Sequence, residues 1–220
     1  MIGVNRRRYM GGKGEEMAFT KETNAPMLAV CYAQHWCASP DYMTKAEAAA
    51  VTNIGSAFSN NADITFFDLS CFISLTTIYN GTTYRMTSCV DMALPSSLTT
   101  IGNNFMNTAA DIEYFVVNEG CTSIGNALGI GNNNTKLFVL PSTLTSLGSL
   151  YKGTSSQLPH ADLIMKSVTP PGGRLGASSL WDYVYVPDES IQAYQTAYSG
   201  FSNKIYGKSE LPDKYRRFWP

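Results

Sequence analysis

Charge is scarce in this chain of 220 residues: Asp, Glu, Lys and Arg make up 15% of it and nearly cancel, to a net charge of −1 at pH 7. Such a balance excludes nucleic-acid binding as a working hypothesis, because that activity rests on a strong basic excess. The cluster Arg6-Arg7-Arg8 is the one basic run, and three residues are too few to change that. No apolar stretch approaches the roughly 18 residues of a membrane span. The opening MIGVNRRRYMGGKGEEM has a basic patch but no apolar segment behind it, so it does not read as a secretory signal. Either export is unnecessary or a leader lies upstream. Five cysteines form no disulfide framework, being odd in number and irregular in spacing, and are expected to be mostly reduced and structural.

Catalytic groups are also thin. The two histidines, His35 and His160, lie far apart in sequence, and no G-x-S-x-G, H-E-x-x-H or phosphate-loop pattern occurs. Cys31-x-x-x-His35-x-Cys37 is the nearest approach to a metal set. A zinc site wants four ligands, usually with a second pair, and no second pair follows. Carboxylates are scattered. The sequence is therefore read as having no catalytic residues, no metal site and no cofactor, and the protein as not an enzyme.

What is present instead is repetition. LPSSLTTIGNNF starts at residue 94, VNEGCTSIGNAL at 117 and LPSTLTSLGSLY at 140. The column Ile54, Ile78, Ile101, Ile124, Leu147 recurs with a period of about 23 residues, the first step being one longer than the rest. Val51, Leu75, Leu98, Cys121 and Leu144 keep step with it, three residues earlier. Leu94, Val117, Leu140, Leu163 and Val186 recur on the same period without a miss. Segments such as Tyr114-Phe115-Val116-Val117 and Leu137-Phe138-Val139-Leu140 are short, aromatic and β-branched, so each reads as a strand ended by a turn. One such unit cannot bury its apolar face alone, whereas stacked units share one core. The expected fold is thus an α/β repeat: a solenoid of such units with a parallel sheet. Gly55, Gly102, Gly125 and Gly148 follow the Ile/Leu column and are expected at positive φ. The polar column after them, Ser56, Asn80, Asn103, Asn126 and Ser149, is expected to form a structural ladder of buried amides between coils. Cys71 and Cys121 fall on inward columns.

The pattern Leu-Pro-Ser-x-Leu-Thr-x-Ile-Gly at this period resembles the BspA-type leucine-rich repeats of gut bacteria and their phages. LIMKSVTPPG at 163–172 and YVPDESIQAYQTAYSGF at 185–201 resemble the closing segment of that family: a Thr-Pro-Pro turn, a Val-Pro strand and a short helix. The resemblance covers about residues 51–206. It implies a leucine-rich-repeat solenoid that serves as a scaffold for binding or adhesion. Thr82 departs from it, standing where Ala57-Phe58 has an aromatic, so the repeat around 72–93 is irregular.

The ends divide the chain further. Thr44-Lys45-Ala46-Glu47 has the spacing of a capping box, predicting a helix to about Thr52. PMLAVCYAQHW at 26–36 suits a second helix or a buried segment. Residues 21–53 thus form the expected helical N-terminal cap, 54–206 the solenoid, 1–20 an extended N-terminal anchor and 207–220 a C-terminal tail. Asp188 is expected to cap a helix through Tyr198 that stops at Gly200, and Asn203–Tyr206 supplies a last strand. Arg6, Arg7, Arg8 and Arg216, Arg217, Phe218, Trp219 are basic and aromatic, the composition of interface hot spots. They read as anchoring residues or as plain disordered ends. NRRRYMGGKG also resembles a leader of phage particle proteins, which favours anchoring.

If Val117 and Leu140 point inward, alternation turns Tyr114, Val116, Leu137, Val139, Tyr183 and Tyr185 outward, an apolar stripe where polar residues are ordinary. A slip of one residue would exchange the two faces, and His160 and Asp162 interrupt the stripe. Such a face is either covered or binds something. The resulting expectation is a non-enzymatic binding or structural protein of a virion, with other virion proteins or a bacterial surface protein or glycan as partner, and with a homo-oligomer as a possibility. The alternative is a bacterial cell-surface or secreted BspA-like adhesin, located outside the cell.

Overall fold

The structure is a computed structural model and describes residues 16–107, 112–126, 128, 134–150 and 160–220. It is a mixed α/β fold of many short strands in parallel sheets, and no sheet closes into a barrel. Two helices come first. Strand β1 (Met17–Thr20) leads into α1 (Lys21–Ala33), and β2 (Tyr42–Thr44), antiparallel to β1, leads into α2 (Lys45–Ala50). The capping box is made: Thr44 Oγ1 accepts from the Glu47 amide at 3.1 Å while Glu47 Oε2 accepts from the Thr44 amide at 2.8 Å. Helix α1 breaks at Asn24 (φ −160°, ψ 68°), which lets Pro26 sit without obstructing a continuous helix. The Asn24 amide donates to the Phe66 carbonyl at 2.9 Å and ties the helix to the first strand of the stack.

The chain then alternates between two five-stranded parallel sheets. The first holds β4 (Thr77–Ile78), β6 (Thr100–Ile101), β8 (Ser123–Ile124), β10 (Ser146–Ser149) and β12 (Gly172–Arg174) in that order. The second holds β7 (Tyr114–Val116), β9 (Leu137–Leu140), β11 (Ala161–Met165), β13 (Trp181–Val186) and β14 (Ile205–Gly207). A separate pair, β3 (Phe66–Asp68) and β5 (Asp91–Ala93), precedes β7. In the first sheet Ile78, Ile101, Ile124 and Leu147 follow one another across the strands at the regular repeat step. They and the column Leu75, Leu98, Cys121, Leu144 are buried. Aromatic rings run through the same core, Phe105 against Phe115, Phe115 on Phe138 at 5.2 Å and Phe138 edge-on to Trp181 at 5.5 Å. Met27, Leu28 and Ala48 of the helices join it.

The period is not uniform. Phe67 pairs with Met92, two positions beyond the regular step, so this coil is longer than its neighbours. Near it Thr82 and Thr83 are fully buried in place of an aromatic. Their hydroxyls are satisfied: Thr82 Oγ1 donates to the Gly55 carbonyl at 2.6 Å, and Thr83 Oγ1 accepts from the Met106 amide at 2.7 Å. In the second sheet Leu140 pairs with Met165, not Leu163. The next pair, Ile164 with Tyr185, falls two positions short of the regular step, which restores the phase. Leu163 still faces the core, because a slip of two residues keeps its side. Cys71 is only half-buried beside that core, Phe72 taking the interior position, whereas Cys121 is fully buried.

Three of the four repeat glycines serve a different end from the one expected. Only Gly55 has positive φ (48°). At Gly102, Gly125 and Gly148 the need is space: a Cβ would lie 2.7, 2.6 and 2.8 Å from the Oδ1 of Asn80, Asn103 and Asn126. Those same oxygens form the interstrand ladder, accepting from the amides of Asn103 at 2.7 Å and Asn126 at 2.6 Å and from the Ser149 hydroxyl at 3.3 Å. The ladder lies at the surface, with Asn80 and Asn126 exposed.

After β13, a 3-10 turn leads into α3 (Ile191–Ala197), and a second 3-10 turn over Ser199–Lys204, which includes Gly200, leads to β14. Asp188 does not cap that helix. Its carboxylate accepts from the Ser209 amide at 3.1 Å and the Ser209 hydroxyl at 2.7 Å, fastening the root of the C-terminal segment.

Candidate functional site

The outward face of the second sheet brings most of the stripe residues together. Val116, Val139, Ile164, Tyr185 and Tyr206 stand side by side in register across the five strands. A parallel row begins Tyr114, Leu137, Asp162. Asp162 therefore interrupts the row of Tyr114 and Leu137 and not that of Val116 and Val139. The two-residue slip brings Ile164 into the gap, a residue that a constant repeat period cannot find.

This face is covered, and by the chain itself. Residues 208–218 form two 3-10 turns, and Leu211 and Tyr215 bury themselves with Leu137, Val139, Ile164 and Tyr185 in a second apolar cluster outside the main core. Phe218 lies 5.4 Å from the Tyr114 ring, and Trp219 packs at the margin. Arg217 places its guanidinium 5.1 Å over Tyr114 and 4.6 Å over Phe218, while Arg216 bonds Asp213 at 2.9 Å. Lys208 lies 5.4 Å from the Trp219 ring and donates to the Pro220 carbonyl at 2.8 Å. Phe218 and Trp219 thus meet the chain's own sheet, a placement different from outward-pointing anchors. The spacing Leu211, Tyr215, Phe218 in the sequence is the signal that could have suggested it. Arg6, Arg7 and Arg8 lie outside the described residues.

Tyr183 escapes the cover. It is 45% exposed, stacked against Tyr185 at 6.0 Å and edge-on to Tyr206 at 5.3 Å. A bulge creates this. Ala161 pairs with Trp181 but Leu163 with Val184, so Asp182 and Tyr183 together oppose Asp162. Asp182 is carried outward beside Tyr183 and meets His160 Nδ1 at 2.5 Å.

Asp162 is the odd group beneath the tail. Its side chain is only 9% exposed, Lys214 Nζ is 3.9 Å from Oδ2, and Oδ1 has no hydrogen-bond partner. Burial raises its pKa, against the opposing pull of the Tyr215 hydroxyl, Lys214 and the Tyr183 backbone, and Asp182 adds to the rise. Burial likewise pushes the Cys31 thiol up to about 12 and those of Cys89 and Cys121 up to about 11, values at which a thiolate nucleophile does not form near neutrality.

The described residues also form surface grooves. One of about 410 Å³ lies between Asp188, Lys208, Arg216 and Trp219, and one of about 320 Å³ between His35, Trp36, Glu47 and Asn53. In the second, Glu47 is occupied by the Thr44 cap and by the Ala38 amide at 2.9 Å. Among the described residues no group of three or more His, Cys, Asp or Glu is placed to hold a metal ion, and no helix is long and apolar enough to cross a membrane. The chain matches no protein-family model and no curated protein.

Proposed function

We propose that the chain is a leucine-rich-repeat solenoid with α1 and α2 as its N-terminal cap, and that it is a non-enzymatic binding protein of a phage particle. In this reading it decorates the virion or accompanies a fibre, and joins another virion protein or the bacterial surface through the part of the second sheet's outward face that the tail leaves open, around Tyr183. The observation that carries the binding role is the tyrosine cluster at the end of that face, where Tyr183 stays exposed although its neighbours are covered. What sets Tyr183 apart is that Tyr185 and Tyr206 hold its ring in one place, and rigid exposed aromatic surface is the material of interface hot spots. The regular steps across the first sheet support the solenoid, because each coil buries its apolar residues only against its neighbours. The polar groups in the repeat are spent on the ladder between coils, which supports a scaffold over a catalyst. The likeness of NRRRYMGGKG to a particle-protein leader supports the virion.

Immunogold labelling of purified phage particles tests the location, with label expected on heads or tails. Label on the bacterial envelope alone would move the protein to the host surface. Hydrolysis of bacterial polysaccharide by the purified chain would overturn the non-enzymatic reading.

A further inference from the structure

The outward face repeats one arrangement at its β7 edge and on the strand next to its other edge. Glu113-Tyr114 stands at the β7 end and Asp182-Tyr183 at the bulge in β13, each a carboxylate followed directly by a tyrosine. At the β7 end Lys136 Nζ donates to the Glu113 carboxylate at 2.9 Å, while Arg217 lies 5.1 Å over the Tyr114 ring. Its charge helps to keep the Glu113 carboxyl below the usual range, after the bonds from Lys136 and the Tyr114 hydroxyl. At the bulge the same pair stands open, and among the described residues no Lys or Arg lies over Tyr183. The chain's own tail supplies an arginine to one end only.

The open pair is also fixed in place. His160 Nδ1 and Asp182 Oδ1 lie 2.5 Å apart, a hydrogen bond that orients the Asp182 side chain. Tyr185 and Tyr206 hold the Tyr183 ring from two sides. Asp162, opposite the bulge, is faced by Lys214, whereas among the described residues no Lys or Arg pairs with Asp182, whose partner is His160.

We propose that Tyr183 and Asp182 form a docking point for an arginine side chain carried by an extended segment of a partner protein. A guanidinium is planar and weakly hydrated, so it lies on a tyrosine ring while donating N–H groups to a carboxylate at the ring's edge; an ammonium does this less well. A neutral sugar would use the ring but has no need of a charged Asp182. This inference deepens the binding reading of the sheet face and rests on it.

The test is an NMR titration of the full chain with an acetylated, amidated Gly-Arg-Gly-Arg-Gly peptide and its lysine and citrulline versions. Saturable shifts are expected at Tyr183 and His160, strongest with arginine, weaker with lysine and lost with citrulline, which keeps the shape without the charge. Asp182→Asn and Tyr183→Ala should each weaken binding about threefold, and together roughly tenfold, with unfolding temperatures showing that both variants fold. Equal binding of the citrulline peptide, or an unchanged affinity in Asp182→Asn, overturns the proposal. Shifts at Tyr183 from a neutral oligosaccharide such as cellohexaose, with none from the arginine peptide, would overturn the ligand class while leaving the face as a binding surface. Silence at Tyr183 toward both would remove the inference and the face's binding role together.

Discussion

Oδ1 of Asn103 occupies the point, 2.6 Å away, where a β-carbon on Gly125 would begin to crowd it. The same oxygen accepts from the Asn126 amide at 2.6 Å, so the glycine of one coil and the asparagine of the coil before it form one joint. Gly125→Ala forces that joint open although its backbone angles suit alanine. The variant should lose about 1–3 kcal/mol, as for other overpacked sites, measured by urea denaturation. A loss below a few tenths would mean that the coils can shift apart freely.

The tail is expected to be held mainly by Tyr215 and Leu211. Tyr215→Ala removes the larger of the two buried side chains and should cost about 2–4 kcal/mol of local docking. Limited trypsin digestion reads this directly, since Arg216 and Arg217 sit in the same turn. Cleavage after these arginines should quicken at least tenfold, while the rest of the chain stays resistant. An unchanged rate would show that the tail is held by its polar root at Asp188 instead.

Asp162 gives the protein an unusual acid dependence. Its folded pKa is raised above the unfolded value of about 3.9, so the folded state binds the proton more tightly, and this group's contribution to stability falls as pH rises through the window above that value. The usual paired carboxylate does the reverse. Asp162→Asn should therefore add stability at pH 7 and have little effect below pH ~4. Thermal unfolding of both proteins across pH 3–8 checks the sign. Loss of stability at neutral pH in the variant would mean that Lys214 and Tyr215 make the ionised form welcome.

Thiol chemistry should be nearly silent in the folded protein. Cys31, Cys37, Cys89 and Cys121 are buried and Cys71 is half-buried. Native labelling with iodoacetamide at pH 8 should be confined to Cys71, with all five reacting in urea, as mass spectrometry of tryptic peptides would show. Rapid native labelling of Cys121 would contradict the tight packing of the inward column.

The period, the inward columns and the capped helix at Lys45 could all be read from residue types, because each rests on contacts that recur at fixed sequence spacing. The irregular steps could not. Leu163 and Met165 are both apolar and share a side of the strand, so nothing in their chemistry says which of them meets Leu140. Glycine's role in the ladder was also hidden, since a residue chosen for space and one chosen for positive φ look alike in a string of letters. The covered face was half visible: its outward apolar row was legible, but the occupant came from Leu211 and Tyr215, which share no period with it. Tyr183 and Asp182 come together through a bulge that alternation alone does not predict.

The paired departures in the second sheet, two residues more and then two fewer, have a consequence for how such a chain can change length. A strand keeps its inside and outside only if residues are gained or lost in even numbers. An odd change survives where the backbone absorbs it locally, as the pair Asp182 and Tyr183 does. Insertions and deletions among relatives of this chain should therefore be even within the strands, with odd ones gathered at bulges, and each bulge then becomes a place where a new surface residue can arise without disturbing the core.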